Sequence, residues 1–464
     1  MTFDPHFAAD GTADLPILAF GKTAFKKWRE AQSAARRGWV DISGFTAEPG
    51  SVLLLPDDKG VLEGALFGWD RDDFWSFANL AAKLPAGAWR IDAALPPAQA
   101  NTAALAWGLA HYQFGRYLSK QPDDSTRPRL TWPAAADREL VLRLVSAIGL
   151  ARDLVNTPAN DLGPEELANV AAGLAQKHGA DFRVVAGDAL LEENYPTIHA
   201  VGRAAAPHRQ PRLIDLRWGN PTDPKLTLVG KGVCFDSGGL DLKPASGMKI
   251  MKKDMGGAAV SLGLADAIMD AKLPVRLRLL IPAVENAVSG DAFRPLDIIK
   301  TRAGLTVEIG NTDAEGRLIL CDALAEAETE KPDLLLDFAT LTGAARTALG
   351  PDLPALFSRH DDLAETLTKA GIEQQDPVWR MPLWKPYRKM LDSKIADINN
   401  ASDSPFAGAI TAALFLADFV SPETRWAHFD LYAWNPSARP GRPEGGEAMT
   451  LRAVYAAISE LFAP

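Results

Sequence analysis

A chain of 464 residues is longer than one hydrophobic core usually serves, so two domains are expected. Hydrophobic residues at 47% and charged residues at 23% match ordinary globular usage and exclude wholesale disorder. The formal net charge of -10, from 49 Lys plus Arg against 59 Asp plus Glu, argues against a protein whose main business is to neutralise phosphates, so nucleic acid is not expected as a partner.

The N-terminus, MTFDPHFAAD, has no basic segment followed by an apolar run. No later stretch reaches the roughly 18 uncharged apolar residues of a membrane span, so the chain reads as cytoplasmic and soluble, with no membrane partner. Short strand-like runs at 52–55, 62–67 and 89–91 mix with a helical pattern over 98–118, which predicts a small α/β domain. The stretch 121–136, QPDDSTRPRLTWPAAA, concentrates Pro, Asp, Ser and Thr and reads as the interdomain connection. The boundary is placed near residue 133, giving a small N-terminal domain over 1–133 and a larger one over 134–464.

Helical periodicity resumes over 137–154, and Gly163-Pro164-Glu165-Glu166 opens another helix, Pro and Glu being favoured in a first turn. Apolar runs at 226–229, 277–281, 306–309 and 334–338 read as buried strands, with helical patterns between them at 256–271 and 315–328. This rhythm predicts an α/β fold in which a mixed, largely parallel sheet is flanked by helices.

Two segments in this second region carry chemistry, and both follow predicted strands, where α/β sheets place ligands. They are GKGVCFDSGGLDLKPASGMKIMKKDMGGAA, residues 230–259, and NTDAEGRL, residues 311–318. The first holds Lys231, Asp236, Lys243 and Asp254 in a glycine-rich stretch; the second spaces Asp313, Glu315 and Arg317 two apart, which in an extended chain aims all three the same way. Four carboxylates in one cleft would repel by about 4 kcal/mol per close pair, taking roughly 4 Å and an effective dielectric near 20. Two divalent cations would balance Asp236, Asp254, Asp313 and Glu315, and a hard oxygen set suits Zn, Mn or Mg. Seven histidines are scattered without an HExxH, and Cys234 and Cys321 form no CxxC pair, so carboxylates must hold any metal.

Both segments resemble the signature blocks of the leucine aminopeptidase family, the two-metal peptidases also called the M17 type. The resemblance runs over about residues 150–460 and takes in RDLVNTPAN at 152–160, DFATLTGA at 337–344 and ADINNASDSPFAGAITAALFL at 396–416. It implies an intracellular aminopeptidase that removes Leu and other N-terminal residues from short peptides, with two Zn or Mn ions, assembled as a homohexamer. One tighter metal would be held by Lys231, Asp236, Asp254 and Glu315, and an exchangeable one by Asp236, Asp313 and Glu315. A lysine ligand must be neutral, and deprotonating an unperturbed lysine of pKa about 10.4 at pH 7 costs roughly 5 kcal/mol, which the metal bond has to offset. The family further implies that Lys243 donates to the scissile carbonyl and that Arg317 holds a bicarbonate acting as general base. Met251, Thr340 and Gly343, with the region of Ala448 and Met449, would shape the pocket for the first side chain, and the backbone of Leu341 would lie near the substrate.

Plainer readings stand beside these. Met248 and Met255 read as core filler, Cys234 and Cys321 as small buried hydrophobes, and His428 as structural. Gly238-Gly239 and Gly256-Gly257 fit either ordinary turns or a close approach of backbone to metals. Two features depart from the family pattern: Asp241, where a small polar residue is expected, and an N-terminal region shorter than in long-form members and without a clear match to their accessory domain. Rival functions are a Cys-Gly dipeptidase of glutathione turnover and a non-catalytic DNA-binding architectural protein on the same fold.

Overall fold

A computed structural model describes residues 6–120 and 123–463. By internal contacts the chain forms two compact units, Met1–Gly149 with Ser437–Glu444, and Leu150–Pro436 with Gly445–Pro464. The division falls inside the helix Arg138–Asn156 rather than in the Pro-rich stretch. That stretch carries a strand of its own, Pro128–Leu130; its residues 121 and 122 lie outside the described residues.

The first unit is built on a five-stranded sheet in which β1 (Leu15–Phe20), β2 (Val52–Pro56), β3 (Leu62–Gly68), β4 (Gly87–Ile91) and β5 (Pro128–Leu130) take the order β2-β3-β1-β4-β5. All neighbours are parallel except β2 and β3. The helix expected over 98–118 covers Pro97–Ala110 and stops there; the residues that follow, HYQFG, form a loop with Tyr112 buried.

In the second unit a nine-stranded mixed sheet is flanked by helices. Its strands are β6 (Asp181–Ala186), β7 (Arg212–Trp218), β8 (Lys225–Gly230), β9 (Gly232–Asp236), β10 (Arg276–Asn286), β13 (Leu334–Ala339), β14 (Ala355–Ser358), β15 (Trp379–Arg380) and β17 (Trp426–Asp430). The order is β15-β14-β17-β13-β8-β10-β7-β6, with β9 paired to β10. Strands β8, β9, β10, β13 and β17 run parallel, while β7 and β14 are antiparallel to their inner neighbours. The inner strands are near-continuous apolar runs because helices cover both faces. The helix Gly256–Asp270 is buried on every side except its last residue, and it packs so closely that a Cβ on Gly257 would lie 2.0 Å from Phe338 O. Gly257 therefore serves helix-to-sheet packing rather than a turn, and Gly256 makes room for Ala433, whose Cβ would lie 2.3 Å from a Cβ there.

The run at 306–309 does not join this sheet. It forms β12 (Thr306–Glu308), which with β11 (Ile298–Lys300) and β16 (Ile398–Asn399) makes a separate three-stranded sheet. Only Val307 of β12 is buried, the alternation of a one-sided strand rather than of a core strand. Cys234 and Cys321 are both buried, as is Met255, whereas Met248 is half-buried.

Candidate metal centre

Because the five inner strands are parallel, their C-terminal ends share one edge, and the residues just beyond those ends meet there. Lys231 follows β8, Asp236 closes β9, Asn286 closes β10, Thr340 follows β13 and Asp430 closes β17. Asp254 arrives from the 3-10 turn Met251–Met255, and Glu315 is the first residue of the helix Glu315–Glu328, where the helix dipole favours a carboxylate.

Oxygens of Asp236, Asp313 and Glu315 lie within 4.8 Å of one another. Lys231 Nζ lies 2.7 Å from Asp254 Oδ2 and 3.0 Å from Glu315 Oε1, and donates to Thr340 O at 2.9 Å. Lys243 Nζ lies 2.7 Å from Asp236 Oδ2 and also contacts Asp313. Asn286 Nδ2 donates to Asp236 Oδ1 at 2.9 Å and to Thr312 O at 3.1 Å, and Thr340 Oγ1 donates to Asp254 Oδ1 at 2.7 Å. The five expected ligands are thus gathered in one place, in a cavity of about 440 Å³ that they line together with Lys243, Met251, Thr340, Leu341 and Gly343.

Burial and the crowding of like charges govern this site. Glu315 is pushed above the ordinary carboxylate range by burial and then by Asp236, against the pull of Lys231. Asp313 is raised in the same way, by burial and Asp236, against Lys243. Burial works against the charge of Lys231, yet Asp254, Glu315 and Asp236 outweigh it and raise its pKa; Lys243 is raised likewise by Asp236 and Asp313. Lys253, next to Asp254, moves the other way: burial lowers it to about 8, opposed by Asp254 and helped by Lys231, Arg346 and Lys243.

The residues present fit a pair of divalent ions. Four carboxylates, Asp236, Asp254, Asp313 and Glu315, are met directly by only two ammonium groups, Lys231 and Lys243, among the described residues, so the site carries an excess of negative charge that dications would balance. The walls also make room: a Cβ on Gly316 would lie 2.5 Å from Lys231 Cε, and one on Gly238, whose φ is +88°, would lie 3.1 Å from Asp313 Oδ1. An all-oxygen set with one amine suits a hard or borderline dication.

Arg317 departs from the expected arrangement. Asp313, Glu315 and Arg317 do not share an extended segment, because the helix begins at Glu315 and turns Arg317 away by about 200°. Arg317 is buried outside the cavity lining, with Nη1 donating to Asn400 O at 2.5 Å and Nε without a partner among the described residues; burial lowers its pKa to about 10. Ala448 and Met449 are buried but do not line the cavity, and Tyr432 does. Asp241 does not oppose Lys243: its Oδ2 accepts from Thr312 N at 2.7 Å and Thr312 Oγ1 at 3.1 Å, tying the two glycine-rich loops together. Asn286, Thr312, Asp430, Lys253, Arg346 and Tyr432 were not singled out from sequence. Asn286 and Asp430 close strands and Thr312 and Tyr432 lie a few residues past one, a place that no single chain distinguishes from ordinary loop chemistry, while Lys253 and Arg346 sit in a turn and a helix with no such signal.

Residues 149–455 match the family described as the cytosol aminopeptidase family, catalytic domain, and residues 15–130 match the M17 aminopeptidase N-terminal domain. The chain belongs to the cytosol aminopeptidase family. As a member it is a metal-dependent aminopeptidase, a hydrolase that acts on peptides. The second match gives residues 15–130 a counterpart among M17 N-terminal domains. The chain is similar to the probable cytosol aminopeptidase of Xanthobacter autotrophicus, 42% identical over 448 residues, covering 89% of this chain and 88% of that one. It is also similar to that of Syntrophotalea carbinolica, 43% identical over 360 residues, covering 74% and 71%. Among solved structures, the cytosol aminopeptidase from Coxiella burnetii matches with a TM-score of 0.93 at 48% identity over 98% of both chains. The bottromycin maturation enzyme BotP, solved in complex with Mn, matches with a TM-score of 0.86 at 34% identity over 97% of this chain and 99% of that one.

Proposed function

We propose that this cytosol aminopeptidase family member uses two divalent ions, Zn or Mn, to release leucine and similar N-terminal residues from short peptides. The observation that carries the reading is the convergence of Lys231, Asp236, Asp254, Asp313 and Glu315 in one cavity, four carboxylates in direct contact with only two ammonium groups, Lys231 and Lys243. Lys231, Asp236, Asp254 and Glu315 would hold the tighter ion and Asp236, Asp313 and Glu315 the exchangeable one. Manganese in the related BotP is consistent with that donor set. The chemistry supplied by such a pair when bound is Lewis-acid polarisation of a carbonyl and acidification of an attacking water.

Around it the chain's own groups have distinct tasks. Lys243, a cation between Asp236 and Asp313, donates to the oxygen of the scissile carbonyl as negative charge grows there. By resemblance to the family, Arg317 would hold a bicarbonate acting as general base, although its side chain lies outside the cavity lining in this structure. Met251, Thr340 and Gly343 bound the space for the first side chain, and the backbone of Leu341 orients the peptide. A bound metal pair would also anchor the substrate's free amino group, which would make the activity an exopeptidase one.

No helix among the described residues is long and apolar enough to cross a membrane, and relatives named cytosol aminopeptidase support a cytoplasmic location. Exposed apolar side chains at Trp379, Trp384, Ile395 and Phe406 support assembly into the homohexamer proposed here, with light scattering as the check. For the activity, chelator-stripped protein should lose hydrolysis of a leucine amide and regain it with Mn or Zn; hydrolysis untouched by chelation would sink the reading. Rates on Leu-Gly and Cys-Gly separate a broad aminopeptidase from a Cys-Gly dipeptidase.

A further inference from the structure

One wall of the cavity carries charge that the proposed catalytic groups do not use. Lys253 is 5% exposed, and its Nζ lies 5.2 Å from the centroid of the Tyr432 ring. The Arg346 guanidinium lies 4.7 Å from the same centroid, and all three residues line the cavity. Lys231 and Lys243 each meet two carboxylates, whereas neither Lys253 nor Arg346 has an ion pair or side-chain hydrogen bond among the described residues.

An ammonium withdrawn from water without a counter-ion is costly, and the face of one tyrosine ring compensates it only in part. The ring engages the cations without using their N–H groups in hydrogen bonds, so three donors on Lys253 and the fork of Arg346 are free to meet a carboxylate. Local structure holds them beside the reacting centre. Lys253 precedes Asp254 in the turn Met251–Met255, Tyr432 lies two residues past Asp430, and Arg346 sits in the helix Gly343–Leu349 that begins at the pocket residue Gly343.

We propose that Lys253 and Arg346, both stacked on Tyr432, form an anion subsite in this cavity that binds a carboxylate of the peptide substrate. The inference rests on the reading of the cavity as the peptide site and adds a substrate class to it. Two sources supply the chemistry: an acidic side chain, or the C-terminal carboxylate of a very short peptide. Either makes the enzyme favour peptides with a carboxylate near the cleaved bond over neutral ones.

The test uses the full-length, metal-saturated protein and four substrates: leucine amide, glutamate α-amide, Leu-Gly and Leu-Gly amide. Lys253→Met, which keeps the volume and removes the charge, should lower kcat/KM for a carboxylate-bearing substrate relative to its neutral counterpart by 10-fold or more, chiefly through KM. Lys253→Arg, which keeps the charge, should retain more of the preference than Lys253→Met does. A fall confined to glutamate α-amide assigns the side chain, and one confined to Leu-Gly assigns the chain end. Should Lys253→Met not fold, Arg346→Ala, at an exposed position, carries the same ratio test. Ratios equal to wild type overturn the subsite. Wild-type protein that cleaves none of the four sinks the peptidase reading instead, and calorimetric titration with glutarate and its diamide then decides the subsite. It stands if glutarate binds Lys253→Met at least 10-fold more weakly than wild type, and falls if the two proteins bind alike.

Discussion

Asn286 donates from Nδ2 to Asp236 Oδ1 at 2.9 Å, and the same nitrogen lies 3.4 Å from Glu315 Oε2. One amide at the end of β10 thereby aims both carboxylates proposed to bridge the metals. Replacing it by Ala should weaken metal binding by roughly 10- to 100-fold, the usual effect of losing a group that orients a ligand. Chelator competition measures this directly, and unchanged affinity would remove the orienting role.

Lys243 has a second effect besides balancing Asp236 and Asp313. If it donates to the developing oxyanion, Lys243→Ala should lower kcat on leucine amide by about 100-fold or more at saturating metal, the scale of one lost oxyanion donor. Loss appearing only in metal affinity, with kcat intact, would reduce Lys243 to a counter-ion.

His428 Nδ1 lies 2.5 Å from Asp337 Oδ1, and Trp426 Nε1 donates to Asp337 Oδ2 at 2.7 Å, all three side chains buried. Burial opposes a charged imidazole, but Asp337 on β13 and Asp430 on β17 outweigh it and the repulsion of Arg317, and the pKa rises above its ordinary 6.5. The fold holds the protonated form more tightly. This contribution is therefore complete below the unfolded value and disappears as pH climbs through the raised folded value. Denaturant unfolding of wild type against His428→Gln between pH 6 and pH 9 should show the wild-type margin shrinking with pH; a flat difference would contradict the assignment.

Gly257→Ala should destabilise the catalytic unit by about 1–3 kcal/mol or more, since its Cβ would meet Phe338 O at 2.0 Å with no flexible atom to yield. Denaturant midpoints report the loss. Gly173→Ala, which meets nothing within 4 Å, is the control at an open helix position.

Much of the site was legible because its chemistry is dense in two short stretches: Lys231, Asp236, Lys243 and Asp254 in one, Asp313 and Glu315 in the other. The inner strands were legible as well, since a doubly covered strand such as Leu334–Ala339 is an unbroken apolar run. Arg317 was misaimed because a spacing of two reads alike in a strand and across the start of a helix, while the side chains diverge. The strand Thr306–Glu308 was assigned to the wrong sheet because periodicity describes a strand's faces and not its neighbours. Asn286 and Asp430 stayed hidden for a related reason. Each is one polar residue at the end of an apolar run, and only the parallel register beside β8 and β13 brings them to the same edge.

The shared edge has a consequence for biosynthesis. Its wall draws on strands that emerge in turn from Lys231 through to Tyr432, and Asp430 accepts from the backbone nitrogens of Leu341 and Thr342. A nascent chain still short of that last strand holds the early carboxylates with no closed cavity around them. The cavity can therefore close only once the chain has been made as far as Tyr432.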